Sequence, residues 1–173
     1  GCLEFSRVLV PSSASNQARN MAQSAEGLAQ ICAGHQVAMV HGNGPQIGLL
    51  ALEAAAYNDV PPYPFDVLGA ESQGLIGYVI AQAIRKTMPE REIAALVTQT
   101  RVDPADTAFK NPSKPIGPVY SPADVDAMKT SIDWQFAPDG RGMRRVVPSP
   151  NPLVLVDLPT ITRLVTAAFL TVC

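Results

Sequence analysis

The sequence is poor in several kinds of residue, and each scarcity excludes a class of protein. Its 13 basic residues stand against 15 acidic ones without forming a basic stripe, so we expect no nucleic acid partner. No apolar run is long enough to cross a bilayer, so we expect no membrane partner. The three cysteines form no CxxC or Cys/His pattern, which predicts no metal site. Their wide spacing is typical of reduced thiols, and we expect a cytoplasmic protein.

What remains is a chain rich enough in apolar residues to fold. It has 173 residues, 47% of them hydrophobic, which suffices for one domain with a core. Helix-like and strand-like segments alternate, and the strand-like ones are nearly all apolar. We therefore predict an α/β fold, a three-layer αβα sandwich around a mainly parallel sheet. The predicted helices cover residues 15–33, 45–57, 66–86 and 159–167, and the predicted strands cover residues 37–40, 93–99 and 169–173.

The character of the sequence changes between residues 100 and 147, where prolines recur. Ser121-Pro122-Ala123-Asp124 predicts the start of a short helix with a capping box. The alternating residues on either side of Asp139-Gly140 predict a two-stranded hairpin. We interpret residues of about 103–147 as a small protruding lobe inserted in the main fold.

The stretch around which the chain is organised is the glycine turn of residues 41–48. An apolar strand precedes it, a helix-forming segment follows it, and Pro45 suits a first helical turn. Backbone N–H groups at such a turn, together with the helix dipole, form a site for an anion. The Asn43 amide can donate to the same anion.

The chemistry that these residues allow is phosphoryl transfer. The turn at residues 42–44 and the segment after Gln99, which leads to Lys114, both follow predicted strands, where ligands of open α/β sheets bind. An anion held by N–H groups with a lysine approaching it suits a reaction that needs positioning and charge neutralisation. The sequence shows no Ser/His/Asp elbow, and His35 and His41 are not spaced as metal ligands. We interpret His41 as structural.

A rival interpretation takes Gly42-x-Gly44-x-x-x-Gly48 as a dinucleotide fingerprint. Its spacing has one residue too many for GxGxxG, and Pro45 removes a donor where the pyrophosphate would lie. The acidic residue that should cap a second strand is replaced by Asp59, which lies in a predicted loop. These departures favour the phosphoryl-transfer interpretation.

Five blocks of the sequence, in order, resemble the carbamate kinase branch of the amino acid kinase family. They are residues 41–48 (HGNGPQIG), 69–78 (GAESQGLIGY), 97–103 (VTQTRVD), 111–117 (NPSKPIG) and 139–150 (DGRGMRRVVPSP). The resemblance extends over about residues 15–173. It implies an amino acid kinase-like fold and reversible transfer of phosphate between carbamoyl phosphate and ADP, giving ATP and carbamate. It also implies Mg²⁺ with the nucleotide, a cytoplasmic homodimer and a place in arginine catabolism.

The resemblance also assigns roles to individual residues. Lys114, in the lobe, matches the lysine that reaches the transferred phosphate, and is the candidate catalytic residue. The candidate residues that bind carbamate or carbamoyl phosphate are Gly42, Asn43, Gly44, Ser72, Gln73 and Arg144.

The resemblance covers only part of the family's pattern. Gly1-Cys2-Leu3 stands where the family has a Gly-Gly-Asn turn, and the chain ends where the family has a second glycine-rich turn. We therefore expect residues 1–173 to be a partial domain, the carbamate-binding half with the lobe, without the nucleotide-binding half. We expect the chain alone to be a weak catalyst or none. The alternative is a non-catalytic remnant of the fold that acts as a binding or oligomerisation module.

Overall fold

The computed structural model describes residues 14–57, 62–130 and 133–173, with side chains from Arg19 onward. In chain order its elements are α1 (Ala14–Cys32), β1 (Ala38–Met39), α2 (Gly44–Ala56), α3 (Phe65–Thr87), β2 (Ile93–Ala95), β3 (Thr100–Val102), a 3₁₀ helix (Thr107–Phe109), β4 (Lys114–Tyr120), α4 (Pro122–Met128), β5 (Gln135–Asp139), β6 (Gly142–Val147), β7 (Pro152–Leu155), α5 (Leu158–Thr166) and β8 (Leu170–Val172).

These elements form two compact units. The first unit comprises residues up to Asn43, residues 70–99 and residues 156–173. The second unit comprises residues 44–69 and 100–155. The chain passes from the first unit to the second between Asn43 and Gly44, inside the glycine turn, and α3 begins in the second unit and continues in the first.

The first unit is built on a parallel three-stranded sheet in the order β1-β8-β2. Thr171, in the middle of β8, pairs with Ala38 on one side and with Ala94 on the other. All three β8 residues are fully buried. A central strand whose side chains are buried on both faces has a nearly continuous apolar sequence. Residues 169–173 show this pattern.

The core of the first unit joins two helices to this sheet. Positions 21, 25, 28 and 32 of α1 are buried at helical spacing, as are Ile76, Ile80 and Ile84 of α3. They pack with Ile93, Leu170 and Val172 of the sheet in one cluster. The helix α1 ends before Gly34, whose φ of 74° is the left-handed conformation that favours glycine after a helix.

The second unit contains the antiparallel sheets. The order β4-β6-β5 gives one, and β3 with β7 gives the other. The β5–β6 hairpin closes through a two-residue turn in which Gly140 adopts a φ of 62°. Helix α4 starts with the predicted capping box, since the Ser121 side chain accepts from the Asp124 N–H and the Asp124 side chain accepts from the Ser121 N–H.

A glycine pair brings α2 and β4 into contact within the second unit. A Cβ atom added to Gly48 would lie 2.5 Å from Gly117 Cα and 2.7 Å from Gly117 N. Gly117 itself has a φ of 70°. The helix that starts at the glycine turn therefore packs backbone to backbone on the strand that starts at Lys114, an approach that only glycine permits.

The structure confirms the predicted α/β class with a parallel sheet. The predicted helices agree with α1, α2, α3 and α5 to within two residues at each end, and the predicted hairpin is β5–β6. The strand expected over residues 93–99 is shorter, because only Ile93–Ala95 pair with β8. The antiparallel sheet β4-β6-β5 lies in the segment predicted to form the lobe, whose extent stays a prediction. Cys2 and Asp59 lie outside the described residues.

Within the described ranges, no helix combines the length and the apolar character needed to cross a membrane. Cys32 and Cys173 are free thiols. Burial raises the pKa of both, which lowers their reactivity.

We predict that Gly48→Ala destabilises the protein while Gly74→Ala does not. The new methyl group at residue 48 meets the Gly117 backbone, and such overpacking costs about 1–3 kcal/mol. Gly74 is also inside a helix but has nothing within 4 Å of the added Cβ, so its replacement gains about 0.5–1 kcal/mol of helix propensity. Urea unfolding of both variants measures the difference. Equal free energies of unfolding would show that the backbone contact does not constrain the fold.

Candidate functional site

The glycine turn begins at the carboxyl end of β1. The His41 N–H donates to the Cys173 carbonyl at 3.1 Å, which extends the β1–β8 pairing to the start of the turn. Gly42 is exposed and Asn43 is half-buried, and Gly44 is the first residue of α2. The sequence therefore places the turn where a parallel sheet presents its ligands and where a helix begins.

The structure brings Asn43 and Ser72 together. Asn43 Nδ2 donates to Ser72 Oγ at 2.8 Å, although the two residues are 29 positions apart in the chain. Ser72 lies on α3 and is fully buried. One N–H of the Asn43 amide is used in this contact, which leaves its second N–H and its Oδ1 for another partner. Ser72 therefore orients Asn43 from inside the unit.

Gln73, the next residue of α3, holds the loop that follows β2. Its Oε1 accepts from the Thr98 N–H at 2.8 Å and from Thr98 Oγ1 at 3.1 Å, and its Nε2 donates to the Thr98 carbonyl at 3.2 Å. With both ends of the amide engaged, this side chain anchors Thr98. Ser72 and Gln73 therefore each hold one of the loops at the carboxyl ends of β1 and β2.

His41 is half-buried beside the turn. Its Nδ1 lies 3.4 Å from the Gly42 carbonyl, and its buried Nε2 has no partner among the described residues. Burial lowers the pKa of His41, and the Gly42 carbonyl raises it by a smaller amount. The structural role of His41 stays a prediction, which the contact with the Gly42 carbonyl supports.

Lys114 and Arg144, both in the second unit, are not brought together. Lys114 is exposed at the first position of β4 and pairs with Val147, so the two side chains share a face. Arg144 lies three residues from Val147 on β6, which puts it on the other face and about 10 Å along the strand. Its Nε lies 2.8 Å from Asp139 Oδ2, an ion pair between two partly exposed side chains of the same hairpin.

Gln46 and Arg145 lie in two of the blocks that carry the family resemblance, but neither is among the candidate substrate-binding residues predicted from the sequence. Gln46, on the first turn of α2, is buried, and neither atom of its amide has a partner within the described part of the chain. Arg145 Cζ lies 3.9 Å from the Trp134 ring centroid and 5.3 Å from that of Phe65. The Asp139-Gly140 turn fixes the hairpin register that places Arg145 opposite Phe136, so the turn could have indicated the position of this arginine.

The described residues include no group of three or more His, Cys, Asp or Glu side chains that could hold a metal ion. Whether a carboxylate of this chain contacts Mg²⁺ bound with a nucleotide stays a prediction, because such an ion takes much of its coordination from phosphates and water.

Taken together, the fold and the turn define an α/β protein with polar groups at the carboxyl ends of its parallel strands. Carbamate kinase of Haemophilus influenzae is 44% identical to the chain over 164 residues, which cover 94% of the chain and 53% of that protein. Carbamate kinase of Pyrococcus horikoshii is 42% identical over 162 residues, which cover 88% of the chain and 52% of that protein. No model of a known protein family matches.

Solved structures show the same likeness. Carbamate kinase from Giardia lamblia bound to citric acid superposes with a TM-score of 0.84 at 37% identity, over 99% of this chain and 57% of that one. A protein from Aeropyrum pernix K1 superposes with a TM-score of 0.84 at 29% identity, over 92% of this chain and 54% of that one. The curated carbamate kinases named here are homologues of the chain, which spans about half the length of the relatives it matches.

We predict that Gln73→Ala destabilises the protein by about 1–3 kcal/mol, because it leaves Thr98 without three hydrogen bonds. Gln73→Glu keeps both acceptor contacts and loses only the donor, so its loss is smaller. Gln82→Ala is the matched control: this exposed glutamine of α3 contacts only the Tyr78 hydroxyl, and its removal costs less than about 0.5 kcal/mol. Chemical unfolding ranks the three variants. Equal stability of the two alanine variants would contradict the anchoring role.

We also predict a pH dependence of stability from His41. Since its pKa is lower in the folded state, the unfolded state binds more protons below the ordinary histidine pKa of about 6.5. The free energy of unfolding therefore falls as the pH is lowered from about 7 towards 5. His41→Gln removes this fall, whereas replacement of the exposed His35 by Gln keeps it. A wild-type and a His41→Gln profile of the same slope would refute the assignment.

Proposed function

We propose that this chain contributes the substrate-binding half of a carbamate kinase, which transfers phosphate reversibly between carbamoyl phosphate and ADP. The observation that carries the proposal is the 40–44% identity to curated carbamate kinases across nearly the whole chain. The Asn43–Ser72 contact supports it, because it orients a polar side chain beside the glycine turn.

In this proposal the turn binds the carbamate or carbamoyl phosphate. Backbone N–H groups around Gly42 and Gly44, at the start of α2, donate to the anion, and the helix dipole favours its charge. Asn43 adds one amide N–H whose direction is fixed by Ser72. Such preorganised donors stabilise developing charge without the cost of reorientation. Gln46 is a further candidate, since a buried amide without partners costs about 1–3 kcal/mol unless a ligand pairs with it.

We propose Lys114 as the residue that neutralises the transferred phosphate. Its ammonium is exposed and has no ion-pair partner among the described residues, so it is available to a phosphate oxygen. Gln73 and Arg144 are weaker candidates for substrate binding. Gln73 already forms hydrogen bonds with Thr98, and Arg144 forms an ion pair with Asp139. We propose a positioning role for Gln73 and a structural role for Arg144.

The remaining expectations belong to the same proposal. ADP or ATP is the second substrate, and the protein works in the cytoplasm as a homodimer in arginine catabolism. Mg²⁺ bound with the nucleotide would supply positive charge at the phosphates. No step is assigned to the ion in this chain.

A second candidate function follows from length. Since the chain spans about half of its curated relatives, it is also a candidate for a non-catalytic binding or oligomerisation module. ADP binding separates the two proposals. Calorimetry that detects ADP binding to the chain favours the enzyme, and its absence in a well-folded sample favours the module.

We predict that ATP formation from carbamoyl phosphate, ADP and Mg²⁺ by the chain alone is weak or absent, and that whatever is formed depends on Lys114. Lys114→Ala should lower the rate by about 100-fold or more, because it removes the charge proposed to stabilise the transferred phosphate. Lys110→Ala is the matched control, since it removes a second exposed lysine four residues earlier and should leave the rate unchanged.

Two results would count against this prediction. Robust turnover by the wild-type chain would show that this half organises the reaction alone. Turnover that survives Lys114→Ala would remove the assigned role of that lysine.

A further inference from the structure

The second unit contains a cavity with an arginine in it. The cavity measures about 200 Å³, and its apolar lining comes from Phe65, Phe109, Trp134, Val147 and Pro148. Arg145 contributes the one positive charge to the lining, and Asp133 contributes a carboxylate. Lys114 is not among the lining residues.

Arg145 is half-buried and available to a ligand. Its guanidinium contacts the Trp134 and Phe65 rings, and these cation–π contacts leave the N–H groups in its plane unused. Among the described residues the guanidinium side chain forms neither a hydrogen bond nor an ion pair. Burial lowers the pKa of Arg145, and an anion beside it would offset this effect. The two rings fix the orientation of the guanidinium, and its N–H donors are unused. It can therefore bind a planar anion that accepts two parallel hydrogen bonds.

The lining defines the class of ligand. The Arg145 guanidinium matches one anionic group, the Asp133 carboxylate disfavours further negative charge, and the apolar lining matches a hydrocarbon body. Inorganic phosphate fits less well, because it carries more charge and offers no apolar surface. The volume of the cavity also agrees with a small organic ligand, because an apolar cavity of about 150 Å³ is already large enough for benzene.

We propose that this cavity binds a small organic monocarboxylate, with the carboxylate on the Arg145 guanidinium and the hydrocarbon body against the aromatic lining. The lining includes neither Lys114 nor a residue of the proposed phosphate-binding turn. The inference does not rest on the proposed function, since a chain without kinase activity would still contain the cavity.

The position of the sole tryptophan provides the measurement. Trp134 lines the cavity and contacts Arg145, so a bound ligand changes its emission. We expect 3-methylbutanoate, titrated into the full chain, to give a saturable change, and its neutral amide to give none. Inorganic phosphate should give none either. Calorimetry with 3-methylbutanoate provides a second readout.

Variants at the cavity should change the affinity in opposite directions. Arg145→Lys keeps the positive charge but loses the planar pair of N–H donors that a carboxylate accepts. The Kd for 3-methylbutanoate should therefore rise about tenfold or more. Asp133→Asn removes a repulsive carboxylate from the lining, so the Kd should fall about threefold. Arg141→Lys, an exposed change in the hairpin turn, is the matched control and should leave the Kd unchanged. If Arg145→Lys does not fold, Asp133→Asn still tests the site.

Four results would overturn the proposal. They are no binding of 3-methylbutanoate by either method, equal binding of the amide, equal binding of inorganic phosphate, and loss of binding in Lys114→Ala. The last result would assign the anion to the phosphate site. Absence of ATP formation would count against the proposed kinase function only, so the two failures are distinguishable.

Discussion

The first unit depends on the burial of β8 between β1 and β2. Leu170, Thr171 and Val172 are fully buried, and each flanking strand is paired only with β8 among the described strands. The same strand extends its pairing past the ends of its neighbours: Cys173 accepts from the His41 N–H, and Val172 accepts from the Leu96 N–H. The two loops that follow β1 and β2 therefore start from positions that β8 fixes, and the geometry of the glycine turn follows from that strand.

Helix α3 adds a second restraint to the same two loops. Two successive residues on it, Ser72 and Gln73, hold Asn43 and Thr98 respectively. The same helix contributes Ile76, Ile80 and Ile84 to the apolar core, so a polar side chain on its buried side is stable only when it has a partner. Two loops held from the same helix keep their polar groups in fixed positions, which is the support that the proposed site at the glycine turn needs.

Most of the fold could be predicted from sequence because its signals are local. The glycine after α1, the capping box at Ser121 and the Asp139-Gly140 turn each have a backbone requirement that the residue type reveals. Strand ends were less predictable: residues 96–99 are as strand-like as 93–95, but no neighbouring strand pairs with them in a ladder. Among the site residues, the glycine turn could be placed from its pattern, whereas the commitment of Arg144 to Asp139 depends on hairpin pairing.

The sequence by itself determined the alternation of helices and strands, the position of the glycine turn and the likeness to carbamate kinases, because each resides in contiguous runs of residues. Only the tertiary structure decided which polar side chains are engaged. Ser72 was paired with Asn43 and Gln73 with Thr98 by the packing of α3 on the sheet, and Arg145 was placed against Trp134 and Phe65 by the folding of the hairpin. These contacts join residues far apart in the chain, and no local pattern encodes the distances between them.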